Sequence, residues 1–447
     1  MRNKTLKIGL IGLIGLIGLI SKAEAQNGFN MPFSQFGIGS SELPFNLPMV
    51  TRMGGTTYTM AGNNYVNPFN PASYGAIETE SFVFDMGVGV QLSTLRDNTE
   101  QMFDADGNLG YLLMAMPVTK WWKLSAGLMP YSTVDYESVV LQSDPTYSGQ
   151  VKTVYSGTGG VNEVYLGTAF NVLRSEGMRP GVQVGFNLNY LTGKIERSIA
   201  YTFLGNDTTY FLNSSRYKKT TVRNLTFDVG LQVRQPLGKE SALTLGVVYK
   251  PYLDMQVRDL AMIYTYLGST LLDTVFPAAG EDPEFSSRLE QPQTLGIGLS
   301  LELAKRWHAA VDATFAAWQG MKYTEGQQPS IMGENARRYN SCSRFAVGLE
   351  RMGDMDAASY WGRISWSLGA HMTQGAMVLD LGGSLHELGE RGIGAGATLP
   401  MRKGKSLLTL SMGYSSLGSR DVLQRNTLTF GIGVSSCERW FFKRKYN

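Results

Sequence analysis

Six ionisable residues fall on the polar side of alternating segments: Asp85, Asp228, Arg234, Glu302, His308 and Asp312. Groups of this kind could line a polar path, form ion pairs that anchor another segment, or wet an interior. Catalysis finds little support. Only three His are present, and His386-Glu387 lacks the second His of a zinc-protease motif. Gly392-Ile393-Gly394-Ala395-Gly396 is glycine-rich but sits in an alternating segment, without the strand–turn–helix that cradles phosphate. No Gly-x-Ser-x-Gly elbow occurs, so a Ser-His pair would have to draw on His308. Cys342 and Cys437 lie far apart, show no metal-ligand spacing and fall on non-adjacent segments, which favours two free thiols over a disulfide. The chain reads as a non-enzyme that needs no cofactor and holds no metal.

The elements carrying these residues alternate with a period of two, the signature of strands. In Ser81–Leu92, Phe82, Phe84, Met86, Val88, Val90 and Leu92 share one face, while Val83, Asp85, Gly87, Gly89 and Gln91 share the other. The pattern recurs in fourteen segments, near 81–95, 109–118, 121–141, 150–172, 181–200, 216–235 and 241–264, then through Leu295, Ile297, Leu299 and Leu301, through Trp307, Ala309, Val311 and Phe315, and near 341–351, 359–372, 389–400, 405–416 and 425–437. Odd-to-even connections, such as the one containing Asp104-Ala105-Asp106-Gly107, read as long loops. Even-to-odd ones read mostly as tight turns. Long loops outside, short turns in the periplasm and an even strand number describe an outer-membrane barrel with lipid-facing apolar residues. Soluble sandwich strands are shorter, averaging about 5–6 residues. Trp121, Trp122, Trp307, Trp361 and Trp440 lie beside the short turns or the C-terminus, where an interfacial girdle belongs. The expected fold is therefore all-β, a 14-stranded antiparallel transmembrane barrel over residues 79–447.

The N-terminus and the composition agree with export. Arg2, Lys4 and Lys7 precede an apolar stretch from Ile8 to Ile20 and the small-residue site Ala23-Glu24-Ala25, so residues 1–25 read as a cleaved signal peptide. That stretch is short of the roughly 20 residues a membrane helix needs. The chain has 40 Lys+Arg and 37 Asp+Glu. The signal accounts for four basic residues and one acidic, leaving 36 of each sign, and such a balance argues against a nucleic-acid partner. Gly is abundant, 52 of 447 residues.

Residues 26–78 do not alternate, yet they contain Phe36, Leu43, Phe45, Met49, Met53, Tyr58, Phe69 and Tyr74, too many apolar groups for a floppy tail. A barrel lumen is the nearest place to bury them, and inward Gly87, Gly89, Gly185, Gly230, Gly296 and Gly298 would leave room. Arg52-Met53-Gly54-Gly55-Thr56, then Ala61-Gly62-Asn63-Asn64, then Asn70-Pro71-Ala72 entering the first strand resembles the N-terminal hatch of the FadL-like long-chain fatty-acid and toluene transporters. Trp121-Trp122-Lys123-Leu124-Ser125 and the terminal Glu438-Arg439-Trp440-Phe441-Phe442 resemble the Bacteroidota branch of that superfamily. The basic ending at Asn447 departs from the aromatic carboxyl terminus of the wider family.

The resemblance implies fourteen strands, a plug at 26–78 with a gate at Asn70, Pro71 and Ala72, and uptake of hydrophobic small molecules that leave sideways through the wall. It also implies an inward kink in the third strand, and Pro130 falls there. Proline cannot donate to a ladder, so Pro130 marks either a lateral portal or a fraying strand above the membrane. Expected partners are outer-membrane lipid and a fatty-acid-like ligand taken up passively. The alternative is a plugged barrel that docks a protein partner in a secretion or surface-assembly machine.

Overall fold

In the computed structural model, Ser34 and residues 47–439 are described, apart from residues 97, 99, 144–148, 174–178, 205–210, 277–283, 319–322, 325–336, 340, 376, 382–383, 402–404 and 421. Residues 1–25, read above as a signal peptide, together with Phe36, Leu43, Phe45 and the tail from Trp440 onward, lie outside the described residues.

The chain enters through a short helix, α1 (Pro48–Thr51), and a 3-10 turn, Pro71–Ala76. The first six strands are long: β1 (Ser81–Arg96), β2 (Gln101–Pro117), β3 (Trp122–Ser143), β4 (Gln150–Leu173), β5 (Gly181–Leu204) and β6 (Asn213–Pro236). Then come β7 (Ala242–Lys250), β8 (Leu253–Leu267), β9 (Thr270–Val275), β10 (Glu284–Gln291), β11 (Thr294–Leu303), β12 (Trp307–Ala316) and β13 (Tyr323–Thr324). The last third holds β14 (Arg337–Tyr339), β15 (Cys342–Arg351), helix α2 (Tyr360–Arg363), β16 (Ser365–Gln374), β17 (Met377–Leu381) and β18 (Ser384–Glu387). The chain finishes with β19 (Glu390–Met401), β20 (Ser406–Ser419) and β21 (Leu423–Arg439).

Apart from β14, β17 and β18, which form a small sheet of their own, these strands make one closed antiparallel wall of fourteen staves. β7 and β8 form one stave interrupted at Pro251-Tyr252, and β10 and β11 form the next, interrupted at Pro292-Gln293. β12 and β13 share the ninth stave, and β9 is a hairpin hung on β8. Closure joins β1 to β21 without a break, from Ser81↔Arg439 to Arg96↔Gln424. Pairing between neighbouring staves satisfies the ladder donors, and this is what allows strands to cross lipid.

Side-chain parity follows the sequence. Met86, Val88, Leu166, Leu188, Phe227, Ile297, Leu299 and Met412 are exposed on the outer face, while Val83, Asp85, Asn187 and Asp228 are buried on the inner one. At the short-turn end, Trp121, Trp122 and Phe170 stack at 5.9–6.4 Å as part of an aromatic girdle. Trp307 and Trp361 are exposed at the same end. Cys342 and Cys437 are not joined in a disulfide and lie on non-adjacent strands, β15 and β21.

Three expectations are corrected. Asp104–Gly107 is not a loop: the β1–β2 hairpin runs on to Arg96↔Gln101, because polar alternating residues above the membrane still pair as strand. The eleventh stave begins at Ser365, and Tyr360–Arg363 is helical instead. Staves seven and eight are each cut by a proline that cannot donate to the ladder.

Candidate functional site

Residues 47–80 lie inside the wall, held by contacts that begin with backbone. Gly54 (φ +63°) and Gly55 (φ +97°) form a left-handed turn after α1 that side-chain-bearing residues adopt poorly. A Cβ at Gly369 would lie 2.4 Å from the Met53 carbonyl carbon, and one at Gly185 would lie 2.2 Å from that of Pro71. Inward glycines therefore set how closely wall and inner segment approach. Gly230 and Gly296 are likewise filled by Asn70 and the Tyr58 ring.

Of the gate residues named from sequence, Asn70 is the organiser. Its amide donates to the Tyr58 carbonyl (2.7 Å), and its side-chain oxygen accepts from the Ala72 N–H (3.1 Å), capping the 3-10 turn behind Pro71. Gln232 of β6 donates to the same Tyr58 carbonyl at 2.9 Å. Asp312 on β12 accepts the Thr57 and Tyr58 N–H groups at 2.5 and 3.0 Å. Tyr74 donates to Asn187 of β5 at 3.0 Å. Burial pushes the Tyr58 and Tyr74 phenols above their ordinary value, so both stay protonated and able to donate. Arg52 pairs with Glu350 of β15 at 2.6 Å in a buried site, and His308 lies 3.9 Å from the same carboxylate.

The remaining lumen-parity residues divide. Asp85 accepts from the Tyr111 hydroxyl (3.0 Å) and the Val66 N–H (3.4 Å). Asp228 accepts from Asn189 at 2.9 Å and lies 3.6 Å from the Lys250 ammonium. Arg234 and Glu302 form a bidentate pair at 2.6 and 2.7 Å, half-exposed near the short-turn mouth. Arg52, Glu350, Lys250 and the buried Lys218–Asp259 pair (3.2 Å) were not singled out from sequence. Inward parity marks Glu350 and Asp259, but nothing in a single sequence joins partners some 300 residues apart.

At Pro130 the wall changes. β3 pairs with β2 only from Pro117↔Lys123 to Leu112↔Leu128. Beyond that point β2 continues with β1 and β3 with β4, so a seam opens between them toward the long-loop end. The β3–β4 register slips between Pro130 and Ser132, leaving Tyr131 as a bulge and reversing the side-chain parity of β3. At the foot of the seam, Met129, Leu113, Tyr111 and Tyr165 pack with Val66 and Tyr74 of the inner segment. Above it the lumen face is apolar: Val134, Val161, Leu191, Ile195, Val222 and Met255 form one buried cluster. On the unpaired edge, the Asp135 N–H donates to the Ser34 hydroxyl at 3.1 Å.

Solved structures with this fold include the toluene transporter TodX of Pseudomonas putida, at 15% identity and TM-score 0.54, covering 93% of this chain and 100% of that one. A Pseudomonas aeruginosa FadL homologue aligns at 12% identity and TM-score 0.51 (87% and 98% covered), and the Ralstonia pickettii toluene transporter TbuX at 13% and 0.50 (90% and 98%). No curated protein matches. The class is thus a plugged fourteen-stave barrel with the fold of the FadL-like outer-membrane channels. Over residues 7–447 the sequence matches the family model described as BamG, and the chain belongs to the BamG family.

Proposed function

We propose that this barrel passes hydrophobic small molecules of fatty-acid or monoaromatic size across the outer membrane by diffusion. In this reading a cleaved signal (1–25) exports the chain, 26–78 is a hatch gated at Asn70-Pro71-Ala72, and 79–447 is the wall. The observation that carries it is the β2–β3 seam, which starts beside Pro130 and backs onto apolar lumen clusters. Such a seam offers a greasy ligand a sideways route that avoids water. The fold shared with toluene transporters and a monoaromatic hydrocarbon channel supports the same reading. The test is uptake of a fluorescent fatty acid into proteoliposomes. Pro130→Val should reduce uptake several-fold while the heat-modifiable barrel persists, and unchanged uptake refutes the portal.

A second reading, a protein-docking subunit, is favoured by the rim. Leu267, Leu271, Leu272, Val275 and Phe276 are exposed on and around the β8–β9 hairpin at the long-loop end. If the rim is a dock, replacing Leu271 and Leu272 by Asp abolishes co-purification of one defined partner and leaves ligand uptake intact.

A further inference from the structure

The outer surface of the wall carries a concavity bounded on β3 by Pro130, and the channel reading does not use its far side on β5 and β6. Three features dent the staves there. β3 bulges at Tyr131, and β4 bends at Gly159 (φ +108°) and Gly160 (φ +159°). β5 comes so close that a Cβ on Gly193 would lie 2.0 Å from the Gly160 carbonyl oxygen. On the lumen side the dent is filled by Val161, Leu191 and Ile195, so the hollow of about 610 Å³ opens outward.

Its lining is polar and cationic. Lys194 and Arg223 both point out of the wall, and Asn162, Thr192 and Thr221 line the space with them. The β5–β6 register sets Thr192 opposite Arg223 and Lys194 opposite Thr221. The two cations are therefore diagonal neighbours, about 7–8 Å apart at Cα, a spacing one phosphate can bridge. Neither has an ion-pair partner among the described residues. On these strands the next outward carboxylate, Glu196, stands opposite Lys219 instead.

Position identifies the ligand. One step toward the short turns on the same staves are Leu128, Val164, Tyr190 and Leu225, all exposed and apolar. The hollow thus sits on the edge of the greasy belt, at the level where headgroups meet hydrocarbon, on the long-loop side that outer-membrane barrels turn to the cell exterior. Interfacial Lys and Arg draw anionic headgroups to such a level. We propose that the hollow is a docking site for the phosphate of a glycolipid in the outer leaflet, with Lys194 and Arg223 as its ligands and the acyl chains lying on the belt below.

The test compares the full-length barrel with a Lys194→Gln/Arg223→Gln variant in phosphatidylcholine nanodiscs. These are doped with monophosphoryl lipid A or with its phosphate-free counterpart, and lipid retained on the barrel is counted by native mass spectrometry after detergent extraction. Wild type should retain the phosphorylated lipid roughly tenfold or more over both the phosphate-free lipid and the double variant. Inorganic phosphate alone should not displace it at matched concentration, because the belt contacts belong to the lipid. Equal retention by the variant, or by the phosphate-free lipid, overturns the site, and displacement by free phosphate overturns the lipid assignment. The heat shift of the variant barrel on gels verifies that its wall is intact.

Discussion

At the scale of single residues, the inner segment is held by buried polar groups whose partners come from distant staves. Arg52 and Glu350 are each almost wholly buried. Removing one member strands the other charge, typically at about 3–5 kcal/mol. Glu350→Ala should therefore release residues 47–57 to fast hydrogen exchange while the wall remains protected. Asn70→Ala should cost about 1–3 kcal/mol, since the Tyr58 carbonyl and the Ala72 N–H lose the same partner. Tyr58 and Tyr74 are raised in the folded state, so the stability they contribute is full below the ordinary phenol value of 10.0 and fades as pH climbs through their higher folded values. Limited proteolysis of the inner segment should accordingly stay flat to about pH 10 and accelerate above it.

At the scale of elements, the staves were largely legible, and their interruptions were not. A period of two with Gly, Asn and Asp opposite Leu, Phe and Val reports which face meets lipid, so Asp85, Asp228 and Asp312 could be placed inward from parity alone. The same rule failed where the physics changes along one strand. Beyond the register shift at Gly110, Asp104 and Asp106 face inward while Phe103, Ala105 and Gly107 face out, and an outward row with so little grease resembles a loop. The seam was legible only as a proline, because pairing between β2 and β3 is a property of two segments and not of either one. The apolar lumen cluster at Leu191, Ile195 and Val222 sits at inward parity, where polar groups are expected, and signals a wall pressed in to fill its own bore. Gly193→Val should resist this: a side chain there meets Gly160 and Val161 backbone, so the variant should lose heat resistance as β4 and β5 separate.

At the scale of the whole molecule, the two readings call on different staves of the barrel. The seam and the inner segment address passage of a ligand, whereas the exposed apolar hairpin at Leu271-Leu272 addresses a partner outside. The predictions separate because Pro130 lies on β3 and the hairpin on β8 and β9, which belong to different staves. A rim variant that abolishes uptake as well would merge the two activities into one machine. A Pro130 variant that abolishes partner binding would do the same.

The inner segment touches both edges of the closing joint. Its Val66 N–H donates to Asp85 on β1, and its Asn64 carbonyl accepts from Ser435 on β21. The joint brings together residues separated by most of the chain, an entropically slow contact. A segment that leads straight into β1 and also grips β21 acts as a jig, holding the first stave in register while the last arrives. The inner segment would then be a construction tool first. Deleting residues 61–66 should slow the appearance of heat-resistant barrel during refolding into liposomes well before it alters what the finished barrel passes.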